Sequence, residues 1–388
     1  SLAGALPDIG VALEALPVGW RRAGLLALAF AEDFAIIDAD SGRIPWLAVC
    51  LPSHWAPEHK VGRHFGEVHA PVADNALLLA AGAHLMRLVT APDRWERHVL
   101  ARDPHTGVGA WVMDVDGDGW LDVVGGSAWY RNPGNPRERE FIRYPFDPRG
   151  TRAHDVIAAD IDGDGRPEIV ALTDGPDGIR WYKIPEDPTG EWERHVIGPG
   201  IHGALMPSAI GDIDGDGDLD IVCADTWYEN RDGKGLDWVP HKNIPFGRVG
   251  PYGMCVRCVV IDIDGDGRQE IVMADADIID SHVAILRNVD GRGGQWERRD
   301  LPQSFVYGSL HSFAVADFTG SGRLDILAAE QEELLPEGRR NPRWVLWENL
   351  GGGEFREHIL LDNRLGSHEL QVGDVDGDGR LDIVSKPW

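Results

Sequence analysis

The chain has 388 residues, of which 64 are acidic and 37 are lysine or arginine, so its formal net charge is −27. Such an acidic surface repels nucleic acids and anionic membranes, and neither is expected as a partner. No run of 18 apolar residues occurs, so no membrane-spanning helix is expected, and 43% hydrophobic residues is enough for one large domain or two.

Residues 1–82 carry no repeat. We expect them to form a small α/β segment of uncertain fold in front of a domain over residues 83–388. Within this segment RRAGLLALAFA, residues 21–31, predicts a buried amphipathic helix. The same stretch also looks a little like a twin-arginine export signal, although it lies inside the chain.

From residue 114 onward the chain repeats one acidic motif. DVDGDGWLDVV begins at Asp114, and four further copies begin at Asp160, Asp212, Asp262 and Asp374. Acids at positions 1, 3, 5 and 9 with glycine at 6 match the first half of a helix–loop–helix calcium loop, without its position-12 glutamate. Alternate residues project to one side, so these carboxylates can converge on one ion.

The number of hard oxygen donors suits Ca²⁺ better than Mg²⁺, which keeps its waters. The sequence therefore predicts several calcium ions bound by Asp114, Asp116, Asp118, Asp122, Asp160, Asp162, Asp164, Glu168, Asp212, Asp214, Asp216, Asp220, Asp262, Asp264, Asp266, Glu270, Asp374, Asp376, Asp378 and Asp382.

The alternative is an acidic turn between strands without a metal, because Asp-Gly is also a hairpin signal. Five intact copies favour calcium over that alternative. A sixth copy, DFTGSGRLDIL, begins at Asp317 and has Thr319 and Ser321 in place of two acids, so it predicts a weak or empty site.

The repeats predict the architecture. Each carries four β-type runs, which in the second repeat are HDVIAAD, EIVALT, IRWYKI and EWERHVI, with the acidic loop between the first and second. Four antiparallel strands per repeat of about 50 residues indicate an all-β protein, a β-propeller with its calcium loops on one face. Six repeats are visible, which gives six or seven blades. The last repeat stops after two strands, and residues 84–90 and 94–100 are expected to supply its third and fourth strands.

The four cysteines, Cys50, Cys223, Cys255 and Cys258, include one C-x-x-C pair. A single pair is a weak zinc signal. On a strand the two thiols point to opposite faces, so core packing is the better interpretation.

Three histidines occupy the same register in different repeats. His154, His311 and His368 each lie six residues before the first aspartate of their loop, at the face opposite the loops and around the channel mouth. This pattern predicts a three-histidine zinc site with one open position, which is the arrangement of catalytic zinc. Asp155 and Glu369 follow two of them and would orient the imidazoles. The alternative is that each histidine starts a strand and hydrogen-bonds the neighbouring blade.

Other polar residues are predicted at the same mouth. His202, His105 and Asp155 are the candidates for moving protons. The candidates for binding substrate hydroxyls are Arg257, Asp225, Glu330 and Lys386. Trp129, Trp181, Trp227, Trp344 and Trp347 fall on third strands, where blade packing explains them better than sugar stacking.

The loop motif D-x-D-G-D-G-x-x-[DE]-[IVL]-[VL] also carries a family resemblance. From about residue 84 to 388 the chain resembles the FG-GAP/VCBS family of calcium-loop propellers. Within it, TRAHDVIAADIDGDG, LHSFAVADFTGSG and GSHELQVGDVDGDGRLDIVSKPW are similar to the propeller domain of aldos-2-ulose dehydratases. That resemblance implies a zinc-dependent carbon–oxygen lyase acting on a keto sugar.

Residues 25–98 resemble a different family, the N-terminal part of the haem-dependent oxidative N-demethylases. The stretches LPSHWAPEHKVG and VHAPV carry this likeness. The remainder of that family's pattern is absent, so haem is not expected. The two likenesses meet at RWERHV, residues 94–99, and EWERHV occurs at 191–196, so the five residues WERHV are shared, which is what a fusion at a shared stretch would leave.

Two functions from different classes follow. The first is a zinc-dependent sugar dehydratase that works by β-elimination; the second is a non-catalytic module that binds glycan or protein, with calcium purely structural. Whether the chain is an enzyme stays open at this point. A carbohydrate is the expected ligand, and the periplasm or the extracellular space is the expected location, with the cytoplasm as the alternative.

Overall fold

The computed structural model describes residues 109–135, 139–149, 153–362, 366–373 and 381–386, together with strands within residues 27–102. Every regular element in these ranges is a strand. The N-terminal strands are β1 Ala27–Leu28, β2 Asp33–Ala39, β3 Leu47–Leu51, β4 Leu78–Leu79, β5 Leu85–Met86 and β6 Trp95–Arg102.

Blades 1 to 3 follow in chain order. Blade 1 has β7 Ala110–Met113, β8 Asp122–Gly125, β9 Ala128–Arg131 and β10 Ile142–Pro145. Blade 2 has β11 Asp155–Ala159, β12 Glu168–Leu172, β13 Gly175–Lys183 and β14 Glu193–Gly200. Blade 3 has β16 Ile210–Gly211, β17 Asp220–Cys223, β18 Thr226–Asn230 and β19 Trp238–His241, preceded by β15 Pro207–Ser208, which pairs in parallel with the first strand of the next blade.

Blades 4 to 6 complete the chain. Blade 4 has β20 Val256–Ile261, β21 Glu270–Asp275, β22 Val283–Asn288 and β23 Trp296–Asp300. Blade 5 has β24 Leu310–Ala316, β25 Asp325–Glu330, β26 Arg343–Gly351 and β27 Glu354–Asp362. Blade 6 has β28 Glu369–Gly373 and β29 Asp382–Lys386, and it is completed by β4 and β5.

The prediction that the N-terminal part completes the last blade is therefore confirmed, and residues 84–90 take part as the fourth strand rather than the third. β4 is the third strand of blade 6 and β5 is the fourth. Residues 95–102 instead form the outer strand of a separate sheet with the order β1-β3-β2-β6. That sheet has no acidic loop motif, which is why no repeat is visible there. The boundary predicted at 82/83 lies between β4 and β5, which pair with each other.

Among the strands that the structure describes, the sheets number seven, and their first strands form a ring. β1 contacts both β7 and β28, and the first strands of blades 4, 5 and 6 contact one another in order. The all-β propeller is confirmed. The prediction of a helix at residues 21–31 is wrong, because the strand β1 lies inside that stretch.

In blades 1 to 5, burial falls from the second strand to the fourth. The second strand β12 is fully buried, whereas the fourth strand β23, with the sequence WERRD, is mostly exposed. Charged outer strands prevent edge-to-edge pairing with other molecules. The five third-strand tryptophans are buried, and Trp181 donates from Nε1 to the carbonyl of Gly235 in the next blade at 2.8 Å. Their predicted packing role is confirmed.

Candidate functional site

Each of the five acidic loops in the described part of the chain curls around the carboxylate at its first position. In blade 1, Asp114 accepts hydrogen bonds from the amides of Gly117 at 2.8 Å and Gly119 at 2.9 Å. Both glycines have a left-handed backbone, with φ of 73° and 88°, which other residues adopt only with strain. The turn therefore needs the glycines of the motif.

The acid at position 9 ties the loop to the blade. Asp122 is fully buried and accepts from the amides of Val115 at 2.9 Å and Asn132 at 2.7 Å. Asp325 accepts from the amide of Asn349 at 2.7 Å in the degenerate loop. This carboxylate therefore keeps a structural role even where the other ligands are replaced.

Carboxylates from positions 1, 3 and 9 converge in four loops. In each, one ligand atom per residue lies within 4.8 Å of the others. The groups are Asp114, Asp116 and Asp122; Asp160, Asp162 and Glu168; Asp212, Asp214 and Asp220; and Asp262, Asp264 and Glu270. The position-5 acids Asp118, Asp164, Asp216 and Asp266 lie outside these groups. Residues 374–380, with Asp374, Asp376 and Asp378, and the side chain of Asp382 lie outside the described part.

The electrostatics of these loops fit a divalent cation. Burial, together with the neighbouring carboxylates, raises the pKa of Asp122, Asp220 and Glu270 to about 7. Oδ1 of Asp160 and Oε1 of Glu270 are buried and accept no hydrogen bond. Buried oxygens with unused lone pairs beside like charges are the donors that Ca²⁺ takes.

In two blades a third-strand base contacts the loop carboxylates, and a bound calcium ion would have to displace it. Lys183 contacts Asp162 and Asp164 and lies 3.4 Å from Glu168, and Arg131 lies 2.5 Å from Asp116. Neither base was predicted as part of a loop site. The signal was available, because both follow a Trp-Tyr pair in the third strand and so point to the loop end of the blade.

At the opposite end of the blades, Arg257 occupies the centre of the channel mouth. Its side chain is buried and reaches across three blades. Nη2 lies 2.6 Å from Nδ1 of His311 and 3.0 Å from Oε1 of Glu369, and Nε donates to the carbonyl of His311 at 2.6 Å. Arg257, predicted as a substrate ligand, is thus saturated by protein groups.

His154 lies on another side of the mouth. Its Nδ1 is 2.8 Å from Oδ1 of Asp155, and Oδ2 of the same carboxylate accepts from the amide of Leu205 at 3.0 Å. Burial lowers the pKa of His154, but Asp155 outweighs burial, so the pKa is raised. The ring centroid of His202 lies 3.9 Å from that of His154, and burial followed by the charge of His154 lowers the pKa of His202.

The three histidines predicted as zinc ligands are divided between two groups. His311 and His368 stack with ring centroids 3.8 Å apart, and with Glu369 they form a possible donor group within 4.8 Å. His154 is not in that group. Burial and then the charge of Arg257 lower the pKa of His311. The imidazoles of His311 and His368 therefore converge with a carboxylate, while His154 is paired with Asp155.

The remaining predicted residues are spread more widely. Asp225 pairs with Lys242 at 3.2 Å. Glu330 is fully buried, contacts Arg339 and accepts from the amide of Arg343 at 2.7 Å. His105 and the side chain of Lys386 lie outside the described residues.

Two further residues lie at the mouth: Asp277, which the end of its second strand also predicts there, and Tyr252, which the sequence did not predict. Asp277 has φ of 54°, lies 3.6 Å from Nε2 of His311 and accepts from Gln331 at 3.2 Å. Tyr252 is 63% exposed and lies 5.5 Å from His202, measured between ring centroids. A left-handed non-glycine residue beside a histidine is typical of a functional site, but the sequence carries no sign of either feature.

Three cysteines lie in the described part, and all are buried as free thiols: Cys223, Cys255 and Cys258. Burial raises the thiol pKa well above its usual value at Cys255 and Cys258. Protonated, buried thiols agree with core packing rather than metal binding.

The repeats match a family profile described as FG-GAP-like repeat over residues 114–171, 160–223, 262–328 and 334–385, together more than half of the chain. The chain belongs to the FG-GAP-like repeat family. No curated protein sequence matches this FG-GAP-like chain. The haem-demethylase and dehydratase resemblances receive no support from these comparisons, and residues 52–62 and 68–72, which carry most of the former, lie outside the described part.

Solved structures with a similar arrangement of strands share little sequence with this FG-GAP-like protein. The V. cholerae biofilm matrix protein Bap1 is 19% identical with a TM-score of 0.40, over 69% of this chain and 41% of Bap1. The Tc holotoxin pore of Photorhabdus luminescens is 18% identical with a TM-score of 0.34, over 72% of this chain and 12% of the toxin chain. Rhamnogalacturonan lyase YesW is 14% identical with a TM-score of 0.33, over 74% of this chain and 64% of the lyase.

The FG-GAP-like chain thus spans less than two thirds of each of these proteins. Within the described residues, no helix has the length and apolar character needed to cross a bilayer.

Proposed function

We propose that the chain is a calcium-stabilised β-propeller that binds carbohydrate at the channel mouth, without a metal ion at that site. The observation that carries this proposal is the position of Arg257. Its guanidinium lies at hydrogen-bond distance from two of the three donors, His311 and Glu369, that a metal would use. A permanent cation there competes with Zn²⁺ for the same lone pairs.

The exposed rim of the mouth supports carbohydrate as the ligand. Tyr252 offers an exposed aromatic face, His202 lies between His154 and Tyr252, and Asp174 is 67% exposed with Oδ2 3.7 Å from Nδ1 of His202. Aromatic faces bind the C–H faces of sugar rings, and carboxylates accept from their hydroxyls. The buried network around Arg257 would hold this rim in place.

Calcium dependence supports a location in the periplasm or outside the cell, where calcium is abundant enough for loops of modest affinity. A protein partner is the second kind of ligand that such a surface could bind. The division of roles between residues 1–82 and 83–388 stays a prediction.

We expect Tyr252→Ala to weaken binding of an oligosaccharide by about tenfold, because one exposed stacking face is worth about 1 kcal/mol or slightly more. Isothermal titration of the calcium-loaded protein against a panel of neutral and acidic oligosaccharides measures this. Trp120→Ala is the control, since Trp120 is 49% exposed but lies on the calcium-loop face. Equal affinities for wild type and Tyr252→Ala would contradict the proposal.

One observation favours a second function, the zinc-dependent sugar dehydratase. His311, His368 and Glu369 form the two-histidine, one-carboxylate set that holds catalytic zinc in other proteins. Zinc bound there would polarise a sugar carbonyl. His202 would then take the proton from the adjacent carbon as the β-hydroxyl leaves. Arg257 would have to move for this set to bind a metal.

Elemental analysis separates the two functions. For metal-free binding we expect calcium and no zinc, both in the wild type and in the variant with His154, His311 and His368 all changed to alanine. About one zinc per chain, lost in the variant while calcium stays, would favour the dehydratase and justify assays with keto sugars. If the triple variant does not fold, zinc analysis of the single variant His368→Ala gives the same comparison.

A further inference from the structure

Between blades 4 and 5, on the calcium-loop face, lies a groove of about 590 Å³. Its walls carry four arginines and a run of three glycines at 351–353. The arginines are Arg287, Arg298, Arg299 and Arg323. On a chain of net charge −27 this concentration of guanidinium groups marks a separate site, far from the residues of the channel mouth.

The groove is open because the third strand of blade 4 has a smaller residue at one position than the third strands of blades 2 and 3. Trp181 and Trp227 fill the corresponding spaces beside blades 3 and 4, where they donate to the carbonyls of Gly235 and Gly293 at 2.8 and 3.2 Å. Ile285 occupies the equivalent position in blade 4: it pairs with Val272 in the second strand, just as Trp227 pairs with Val222 in blade 3. An isoleucine is much smaller than a tryptophan, so the space beside blade 5 stays open.

The turn that would cover this space is also shorter. Between Asn288 and its strand partner Trp296 lie seven residues, 289–295, whereas between Asn349 and Phe355 lie five, 350–354. In addition, Asn288 donates to Ile213 of the preceding blade at 2.7 Å, but Asn349 donates within its own blade, to Leu324 at 3.0 Å. Three independent features therefore separate blade 5 from blade 4 at this point.

The charges in the groove favour an anion. Four lining acids, Asp264, Asp266, Glu270 and Glu297, balance the four arginines in number. Arg298 lies 2.7 Å from Asp300 and Arg323 donates to the carbonyl of Asn349 at 2.6 Å, which leaves Arg287 and Arg299 for a ligand. A calcium ion on the loop of blade 4 would add two positive charges. The nearest carboxylate oxygens lie 3.9 Å from Arg287 and 3.6 Å from Arg299, which is longer than a hydrogen bond.

We propose that this groove binds an acidic oligosaccharide, with a sugar carboxylate on Arg287 and Arg299. Guanidinium and carboxylate groups form paired, charge-assisted hydrogen bonds. Ile285 and the half-buried Phe355 provide an apolar floor for the sugar ring, and the glycine wall at 351–353 leaves a flat slot beside it. The volume lies in the range of ligand pockets.

The test is titration of the calcium-loaded protein with an oligogalacturonate and with a neutral galactose oligomer of the same length. We expect binding of the acidic oligomer and at least about a tenfold loss in Arg287→Gln/Arg299→Gln, since each lost charge-assisted bond costs about one order of magnitude. Ile285→Trp, which restores the residue of blades 2 and 3, should abolish binding, while Ile285→Val should not. Arg231→Gln is the matched control, because Arg231 is exposed in blade 3 and pairs with Asp237.

If Ile285→Trp does not fold, the arginine double variant decides alone. Unchanged affinity in that variant would overturn the proposal, and so would equal affinity for polyglutamate or for the neutral oligomer. Binding that Tyr252→Ala removes and the groove variants keep would assign the acidic sugar to the channel mouth instead. Failure of this proposal is thereby distinguished from failure of the mouth proposal.

Discussion

Chelation of calcium is expected to lower the melting temperature by roughly 12 °C. A ligand in hundredfold excess over its Kd stabilises the folded state by about 2.7 kcal/mol per site. The four convergent carboxylate groups would therefore contribute roughly 10 kcal/mol, at about 1.2 °C for each kcal/mol in a chain of this size. Calorimetry with and without EDTA, with calcium content confirmed, measures the shift.

Two variants provide a matched comparison. Asp212→Asn removes a ligand from an intact loop and should reduce the calcium-dependent part of the stability. Asp317→Asn changes the same position in the degenerate loop, where Thr319 and Ser321 replace acids, and should leave that part unchanged. A melting curve that does not move when all calcium is removed would refute the calcium assignment.

The stability of the calcium-free protein should also fall as the pH rises, which is the opposite of ordinary acid denaturation. Burial raises the pKa of Asp122, Asp220 and Glu270 in the folded chain to about 7, from ordinary values of 3.8, 3.8 and 4.5. Between about 4 and 7 the folded state then holds more protons than the unfolded state, so its stability falls as pH rises. With calcium present the sign reverses, because protons and calcium compete for the same oxygens.

The calcium loops and the blades could be predicted because their signals are local. Glycine at positions 4 and 6 and acids at 1, 3 and 9 fix the turn within nine residues, as the bonds to Asp114 illustrate. Alternation and β-branched residues then predict the strands on either side. The sheet of β1, β2, β3 and β6 has no such motif, so its existence could not be read from the repeats.

The mouth depends on contacts between distant parts of the chain. Arg257 meets His311 across 54 residues and Glu369 across 112. The equal spacing of the histidines before their loops predicted that they lie at one end of the blades. That spacing carries no information on which side chain lies between them at the mouth. The groove could not be predicted from the sequence for the same reason. Only the strand pairing shows that Ile285 occupies the position that Trp227 occupies in blade 3.

Replacement of Arg257 is the second change with a large expected effect. Arg257→Met should lower the free energy of unfolding by about 3–5 kcal/mol, because it leaves the carboxylate of Glu369 in a mostly buried position without its cation. Urea unfolding of the calcium-loaded protein measures the loss. Arg231→Met is the control, since its exposed ion pair with Asp237 is open to solvent, and no measurable change is expected there.

A second substitution separates loss of the ion pair from loss of packing. In Arg257→Met/Glu369→Gln the unpaired charge is gone, so the double variant should recover part of the stability that the single variant loses. A double variant no more stable than Arg257→Met would mean that the guanidinium acts through packing alone. A single variant as stable as wild type would contradict the central role of Arg257.

The same variant tests why the mouth is proposed to work without zinc. Arg257 lowers the pKa of His311 and bonds two of the three donors, so its removal should raise that pKa and make the donors available to a metal. We expect folded Arg257→Met to bind added Zn²⁺ more tightly than wild type. If wild type binds zinc as tightly as the variant, Arg257 moves aside on metal binding, and the dehydratase becomes the better-supported function.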